Sequence, residues 1–306
     1  MSIDIKLIKN QQPEKILQII SNVLLINTQW NNKIGLTKGK MGVAIFFYLY
    51  SRYSANLFYK RFADSIIDSI IDSINEKTNP NSMNGLPGIG WGINYLIKQK
   101  YLEKNSIEIL TDIDDIIFSE KQELLNMSDE FFAKGLYITT RINSGCIKTK
   151  FDSYIKEVIT ELYDDNYLIY NNIHNLSNVN SLLYFLCEIS KINIVEVKSY
   201  VAHIYDNILC LFFKHQFKYD IVDVTLFCDI LSKHFNSKEL QPIRDLIYSE
   251  RDILSPEELC KHTWNRILYP QTHSSAQIDY LSMLPYKHGG LIISDLHSFG
   301  LALLME

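Results

Sequence analysis

The sequence reads GLTKGKMGVAI at residues 35–45 and GLPGIGWGI at residues 85–93, so a glycine-rich phrase occurs twice with a step of 50 residues. Seven of the chain's 12 glycines lie in these two phrases. Each phrase leads into an apolar stretch whose spacing is typical of a helix. The same local structural requirement for glycine therefore recurs along the chain.

Weaker copies of the phrase follow. The same step leads to Gly135, where a Gly-Leu pair again meets an aromatic-rich helical pattern, and residues 174–186 and 294–304 keep the outline, with asparagine for glycine in the first. A repeat of this size indicates stacked supersecondary units, each too small to bury its own apolar face. The sequence predicts a single domain over residues 1–306, with repeat units starting near residues 35, 85, 135, 174 and 294. The glycine phrases are missing between residues 190 and 260.

The glycines have two interpretations. Glycines four residues apart on a helix leave a bare face that another element can approach closely. A helix that starts at glycine also presents free amide groups, which can bind an anion or a substrate carbonyl. Packing is favoured, because a ligand contact would be needed once and the phrase recurs in every unit.

The remaining pattern is helical and predicts an all-α fold. Apolar residues with helical spacing are Ile16, Ile19, Ile20, Val23 and Leu24 in one segment and Phe58, Phe62, Ile66, Ile67, Ile70 and Ile74 in another. The length of each unit accommodates about two helices. An open solenoid needs polar capping units, whereas residues 299–305 are apolar and contain glycine. The prediction is a double-layered α/α toroid whose last unit packs near its first.

Composition excludes several classes of partner. The chain has 306 residues, a sequence pI near 5.9 and a net charge of -5, which provides no general attraction for nucleic acid or an anionic membrane. It has no cleavable signal pattern and no apolar run of about eighteen residues to span a bilayer. The five cysteines are odd in number and widely spaced. They are expected to be buried reduced thiols, which predicts a cytoplasmic location.

The two phrases, followed by Phe-Phe-Tyr-Leu and by Asn-Tyr-Leu, resemble the repeats of the lanthionine synthetase C-like family. The resemblance is strongest over residues 35–98, extends to about residue 142 and reappears at residues 174–186 and 287–304. It implies an α/α barrel of concentric helices. It also implies zinc-dependent cyclase chemistry, in which a peptide cysteine adds across dehydroalanine or dehydrobutyrine to form a thioether.

The resemblance assigns a proton-transfer role to one histidine. If Gly39 and Gly42 are aligned with Asn175 and Asn178, the apolar runs that follow stay in register. His174 then occupies the position of the family's Ala-His-Gly histidine, with Asn175 in place of the glycine. An imidazole there can move a proton near neutral pH. The alternative is a hydrogen-bonded structural residue near a helix start.

The family's zinc ligands are poorly preserved. The best match to its Trp-Cys-x-Gly phrase places Asn265 at the first cysteine, and the best match to Cys-His-Gly places Lys287 at the second cysteine and keeps His288. An amide and an ammonium in place of two thiolates forfeit most of the zinc affinity, so no cofactor is expected. A relocated zinc site is the alternative, since Cys260, His262, His273 and His288 lie within 29 positions. Surface histidines and a buried cysteine are the ordinary interpretation of that cluster.

The function predicted is a lanthionine synthetase C-like protein of a lanthipeptide-type pathway that lacks the zinc cyclase site. Its expected partner is a peptide substrate or a partner modification enzyme, and the residues expected to line a peptide cleft are Trp91, Trp264 and Tyr286. The alternative is an active thioether cyclase that uses His174, with the relocated zinc or with no metal.

A second alternative is a glycoside hydrolase, a class that also uses α/α toroids. It would draw two carboxylates from Asp112, Asp114 and Asp115 or from Asp164 and Asp165. The simpler interpretation of the first group is the solvated face of an amphipathic helix.

Overall fold

A computed structural model of the chain describes residues 2–4, 12–103, 107–118, 132–146, 149–164, 175–191, 203–204, 221–234, 256–269 and 290–305. Two compact units are present. The first comprises Met1–Asn79 and Leu246–Glu306, and the second comprises Pro80–Asp245.

The described residues form eleven α-helices, one 3-10 helix and two short strands. The helices are α1 (Pro13–Asn27), α2 (Lys40–Tyr53), α3 (Leu57–Ser73), α4 (Leu86–Lys98), α5 (Ile107–Phe118), α6 (Ala133–Asn143), α7 (Thr149–Asp164), α8 (Leu176–Ile189), α9 (Ile221–His234), α10 (Pro256–Leu268) and α11 (Ile293–Met305). The 3-10 helix, Thr28–Trp30, follows α1 directly. For these residues the prediction of an all-α fold is confirmed.

Helices that follow the repeated phrases are buried on nearly every side. Every residue of α2 from Met41 to Tyr48 is buried, as is every residue of α4 from Leu86 to Asn94. All residues of α8 are buried. A helix that is apolar all round requires neighbours on all sides, so these helices form the interior of their units.

The helices that come between them bury a single face. In α3 the buried residues are Ala63, Ile66, Ile67 and Ile70, which share one stripe. In α5 they include Leu110, Ile113 and Ile117, again at spacings of three and four. Interior and one-sided helices alternate along the chain from α2 to α8, as a repeat of helix pairs predicts.

In the first unit α2 packs on α3, and the last helix, α11, packs on α1, α2 and α10. Gly300 makes this contact possible. A Cβ atom added there would collide with the Phe46 ring of α2, lying 2.8 Å from its Cδ2. The predicted packing of the last repeat on the first segments is present within this unit.

In the second unit α4 packs on α5 and α6, α6 packs on α8, and α8 packs on α9. Gly90 of α4 lies against α6, since an added Cβ would lie 2.6 Å from Cε2 of Tyr137. At Gly90 and Gly300 the packing interpretation of the repeated glycines is confirmed.

Two three-residue strands were not predicted. Strand β1 (Ser2–Asp4) pairs antiparallel with β2 (Gly290–Ile292), with Ile3 opposite Leu291. Three residues are too few for apolar and polar positions to alternate visibly, which is why the sequence pattern gave no strand signal.

Candidate functional site

Several of the predicted site residues lie outside the described residues. These are His174, His273, Tyr286, Lys287 and His288. The neighbour of the first, Asn175, is described and caps α8: its side-chain oxygen accepts a hydrogen bond from the backbone nitrogen of Ser177 at 2.9 Å. Asparagine is among the residues preferred at that position, so it replaces the glycine of the other phrases without loss of the helix start.

The polar residues at the start of α8 connect three helices. The hydroxyl of Ser177 donates to the carboxylate of Asp223 in α9 at 2.6 Å, and the amide of Asn180 donates to the backbone oxygen of Asp223 at 2.8 Å. The backbone nitrogen of Phe132, which precedes α6, donates to the hydroxyl of Ser181 at 2.7 Å. These bonds join the helices to one another.

Asn265 lies within α10 and is 2% exposed. Neither its amide nitrogen nor its amide oxygen has a hydrogen-bond partner among the described residues. The repeated phrases elsewhere precede a helix, with Gly39, Gly85 and Asn175 at the helix caps. The Trp264-Asn265 pair instead lies in the second half of a helix.

The described residues do not fit a zinc site. Asn265 offers a neutral amide where the resemblance places a thiolate, and zinc in proteins is held by Cys, His and carboxylate side chains. Within the described part of the chain, no three His, Cys, Asp or Glu side chains are grouped so that they could hold a metal ion.

Two members of the alternative cluster, Cys260 and His262, are described on α10. Cys260 is half-buried and forms no disulfide with a described cysteine, and His262 is buried at 8% exposure. His262 therefore differs from the surface histidine expected in the ordinary interpretation.

The two described tryptophans predicted to line a cleft are buried. Trp91 is 3% exposed and stacks on Tyr95 with ring centroids 5.3 Å apart. Trp264 is also 3% exposed, and its indole nitrogen donates to the hydroxyl of Ser298 in α11 at 3.0 Å. The contact of Trp91 lies within α4, whereas that of Trp264 joins α10 to α11.

One buried histidine, His297 of α11, was not singled out by the sequence analysis. It is 1% exposed, its ring centroid lies 6.0 Å from that of Trp264, and Nε2 lies 3.5 Å from the hydroxyl of Ser298. An added Cβ at Gly42 would lie 2.6 Å from Nε2. Burial lowers the pKa of His297 to about 4, and a hydrogen bond with the backbone of Thr37 opposes that effect. The ring is therefore neutral at physiological pH.

A buried ion pair joins α5 to α6. Asp114 is fully buried, and its carboxylate accepts a hydrogen bond from the guanidinium of Arg141 at 2.9 Å and one from the hydroxyl of Tyr137 at 2.6 Å. Burial, and secondarily the Asp114 carboxylate, raises the pKa of Tyr137. The solvated-face interpretation is therefore wrong for Asp114, although Asp112 and Asp115 are exposed.

This ion pair does not provide the carboxylates of a glycosidase. A glycosidase needs two carboxyl groups facing one substrate, whereas Asp114 is fully buried, paired with a cation and hydrogen-bonded to a phenol. The side chains of Asp164 and Asp165 lie outside the described residues.

Comparison of the chain with protein-family models, curated proteins and solved structures finds no match. No helix among those described combines the length and the apolar character needed to cross a membrane.

Proposed function

We propose that this protein is a lanthionine synthetase C-like α/α toroid that binds a peptide or a partner modification enzyme of a lanthipeptide-type pathway without closing the thioether. The repeated glycine phrases suggest the family. The proposal has two parts, a scaffold and the loss of its metal chemistry, and each has its own support.

The helix arrangement supports the scaffold. Helices α2, α4 and α8 follow the repeated phrases and are buried on nearly all sides, while α3 and α5 bury one face. A double-layered toroid requires this division, with an inner layer enclosed and an outer layer amphipathic. The packing of α11 on α1 and α2 is what a closed ring requires of its last repeat.

Asn265 carries the second part of the proposal. It follows Trp264, as the first zinc-binding cysteine follows tryptophan in the family, and it is 2% exposed. An amide has no thiolate form, so it cannot supply the charged soft ligand that gives such sites their affinity. A toroid with this substitution keeps its shape and loses the group that activates a peptide thiol.

The test uses a synthetic peptide that contains one cysteine and one dehydroalanine. We expect the full-length protein to bind the fluorescently labelled peptide in an anisotropy titration. We also expect the peptide's cysteine to remain fully alkylated by iodoacetamide in mass spectra after incubation, with or without added zinc. A peptide with serine in place of dehydroalanine serves as the control for chemistry.

Two outcomes would contradict the proposal. Thioether formation that is abolished by His174→Ala would establish a metal-free cyclase. One tightly bound zinc per chain, lost in Cys260→Ala and accompanied by thioether formation, would establish the relocated metal site. Absence of peptide binding would reject the peptide and leave a partner enzyme, which a pull-down with a purified lanthipeptide dehydratase tests directly.

A further inference from the structure

The side chain of Asn265 in α10 is a buried amide that makes no hydrogen bond within the described part of the chain. It is 2% exposed, and neither Nδ2 nor Oδ1 has a partner there. Both atoms are also shielded from solvent, so bulk water does not supply the missing bonds. A buried polar group without a partner is uncommon in native proteins, and each one requires an explanation.

Other buried asparagines of this protein link helices. The amide of Asn94 in α4 donates to the backbone oxygen of Thr140 in α6 at 3.2 Å. The amide of Asn180 in α8 donates to the backbone oxygen of Asp223 in α9 at 2.8 Å. Asn265 makes no bond of this kind among the described residues, so linking helices is not the task of its side chain.

The position of Asn265 favours an apolar residue on packing grounds. Every residue of α10 from His262 to Asn265 is buried. An amide placed there without a hydrogen bond loses its hydration and gains nothing in return, which lowers stability. Leucine has a similar size and would not carry that penalty. A residue that lowers stability without a structural benefit is typical of a functional position.

The chemistry of the amide determines which group fits it. An asparagine side chain presents an N–H donor and a C=O acceptor side by side in one plane. A primary amide offers the complementary pair. One residue of an extended peptide offers it too, because its N–H and C=O point the same way, as they do between antiparallel strands. A water or hydroxyl oxygen can form both bonds only with bent geometry, so an amide is the better partner.

The ligand group is expected to be uncharged. The buried polar side chains of α10 and α11 are those of His262, Thr263, Asn265, His297 and Ser298, and none of them carries a permanent charge. His297 is neutral at physiological pH. Burying an ion requires a counter-charge, which these side chains do not offer.

We propose that Asn265 binds a neutral amide group through two parallel hydrogen bonds. The amide belongs to an extended segment of the bound peptide, in which case the inference rests on the function proposed above, or to a small primary amide. Because Asn265 is covered in this structure, the ligand enters when the elements around α10 open locally.

The test observes the side-chain amide of Asn265 directly by NMR of the isotope-labelled, full-length protein. Its signals are assigned by their absence in Asn265→Leu, or in Asn265→Ser if the first variant does not fold. We expect acetamide to shift these signals saturably. Methyl acetate accepts a hydrogen bond but cannot donate one, so it should shift them less than half as far. The amide of Asn94, which is buried and already paired, is the matched control and should not respond.

The labelled peptide that contains cysteine and dehydroalanine distinguishes the two sources of the amide. If the peptide supplies it, the peptide shifts the Asn265 signals, and Asn265→Leu weakens binding at least tenfold in an anisotropy titration. If a small amide supplies it, acetamide shifts the signals and the peptide does not. A peptide that fails to bind the wild-type protein counts against the proposed function, while the acetamide response still tests the inference.

Two results would overturn the inference. Asn265 signals that respond to neither acetamide nor the peptide would show that no amide binds there. Equal shifts with acetamide and methyl acetate would show that the site does not recognise the paired donor and acceptor. Circular dichroism of each variant establishes that the fold is retained.

Discussion

His297 is the most strongly perturbed histidine of the described residues, and it makes stability depend on pH. Its pKa is about 4 in the folded protein, against 6.5 for an unperturbed imidazole. Below pH 6.5 the unfolded chain binds a proton that the folded protein does not bind. The stabilisation is therefore present above pH 6.5 and is lost as the pH falls toward 4.

We expect His297 to lower the free energy of unfolding by about 2 kcal/mol between pH 7 and pH 5. Urea unfolding at both pH values measures this difference, and His297→Gln should remove most of it because glutamine does not titrate. His203→Gln is the control, since His203 is exposed. An equal loss of stability with falling pH in wild type and His297→Gln would refute the assignment.

The sequence indicated some histidines and not others for a physical reason. His174 is indicated by the alignment of Asn175 and Asn178 with Gly39 and Gly42, and His288 by the two glycines that follow it. His297 owes its special environment to Gly42, which lies more than 250 positions away in the chain and leaves room for the ring. A contact of that sequence separation leaves no local pattern. The same is true of Asp114, whose partner Arg141 belongs to another helix.

At the scale of elements, the crossing of α11 over α2 depends on Gly300. An exposed helical glycine replaced by alanine gains up to about 1 kcal/mol of helix propensity. We expect Gly300→Ala to lose about 1–3 kcal/mol instead, because the new methyl group meets the ring of Phe46.

A double-mutant cycle in urea separates this collision from other effects. In the Phe46→Leu background the cost of Gly300→Ala should fall by at least about 1 kcal/mol, because the ring edge is gone. The same cost in both backgrounds would mean that the two helices do not approach each other in this way.

The pairing of α5 with α6 depends on the buried ion pair. Removing one partner leaves an uncompensated charge, so Arg141→Met should cost about 3–5 kcal/mol in urea unfolding. The double variant Asp114→Leu/Arg141→Met should recover most of that loss, because neither charge remains buried. Asp115→Asn is the control on the same helix and should change stability by less than about 0.5 kcal/mol. A cost below 1 kcal/mol for Arg141→Met would show that the pair is not buried.

Elements whose signal is local were predictable. The helical period over residues 58–74 corresponds to α3, and Gly39 and Gly85 cap α2 and α4, as their positions ahead of apolar runs indicated. The helical spacing of apolar residues does not distinguish the part of an apolar helix face that a neighbouring helix covers from the part that is exposed. Phe58 belongs to the predicted apolar face and is nevertheless exposed, because coverage depends on where α2 ends.

At the scale of the molecule, the proposed closed toroid predicts cooperative unfolding. Trp264 lies in the first compact unit and Trp91 in the second, and both are buried. Variants that keep one of them, Trp30→Phe/Trp91→Phe and Trp30→Phe/Trp264→Phe, report each unit separately by fluorescence.

We expect both tryptophan reporters to give the same urea midpoint within experimental error, and circular dichroism to give that midpoint too. In a closed ring, opening one repeat removes the packing of its neighbours, so the whole domain should unfold in one transition. Circular dichroism of the two variants provides the control for the substitutions. Two separate transitions would contradict a single toroidal domain and indicate independent units.

The prediction of a toroid depends on the repeated phrase, and the phrase is clearest in the repeats that keep glycine. Residues 35–98 keep it fully, and α2 and α4 begin directly after Gly39 and Gly85. Asn175 shows why the glycine pattern weakens along the chain. Its side chain caps α8, where glycine stands at the N-cap of α2 and α4, so the helix start is kept although the residue type differs. The Trp264-Asn265 pair lies inside α10 and not at a helix start, and its assignment to the family's first ligand phrase stays a prediction.

The alkylation rate of Cys187 can report local opening of the interior helix α8. Its side chain is 3% exposed, and burial raises the pKa of its thiol to about 12. The thiolate, which is the nucleophile that attacks alkylating reagents, is therefore almost absent while the helix is in place. The rate at which iodoacetamide modifies Cys187 consequently reports how often α8 leaves its neighbours, α6 and α9. A bound partner that holds these helices together more tightly would slow that reaction without touching the cysteine.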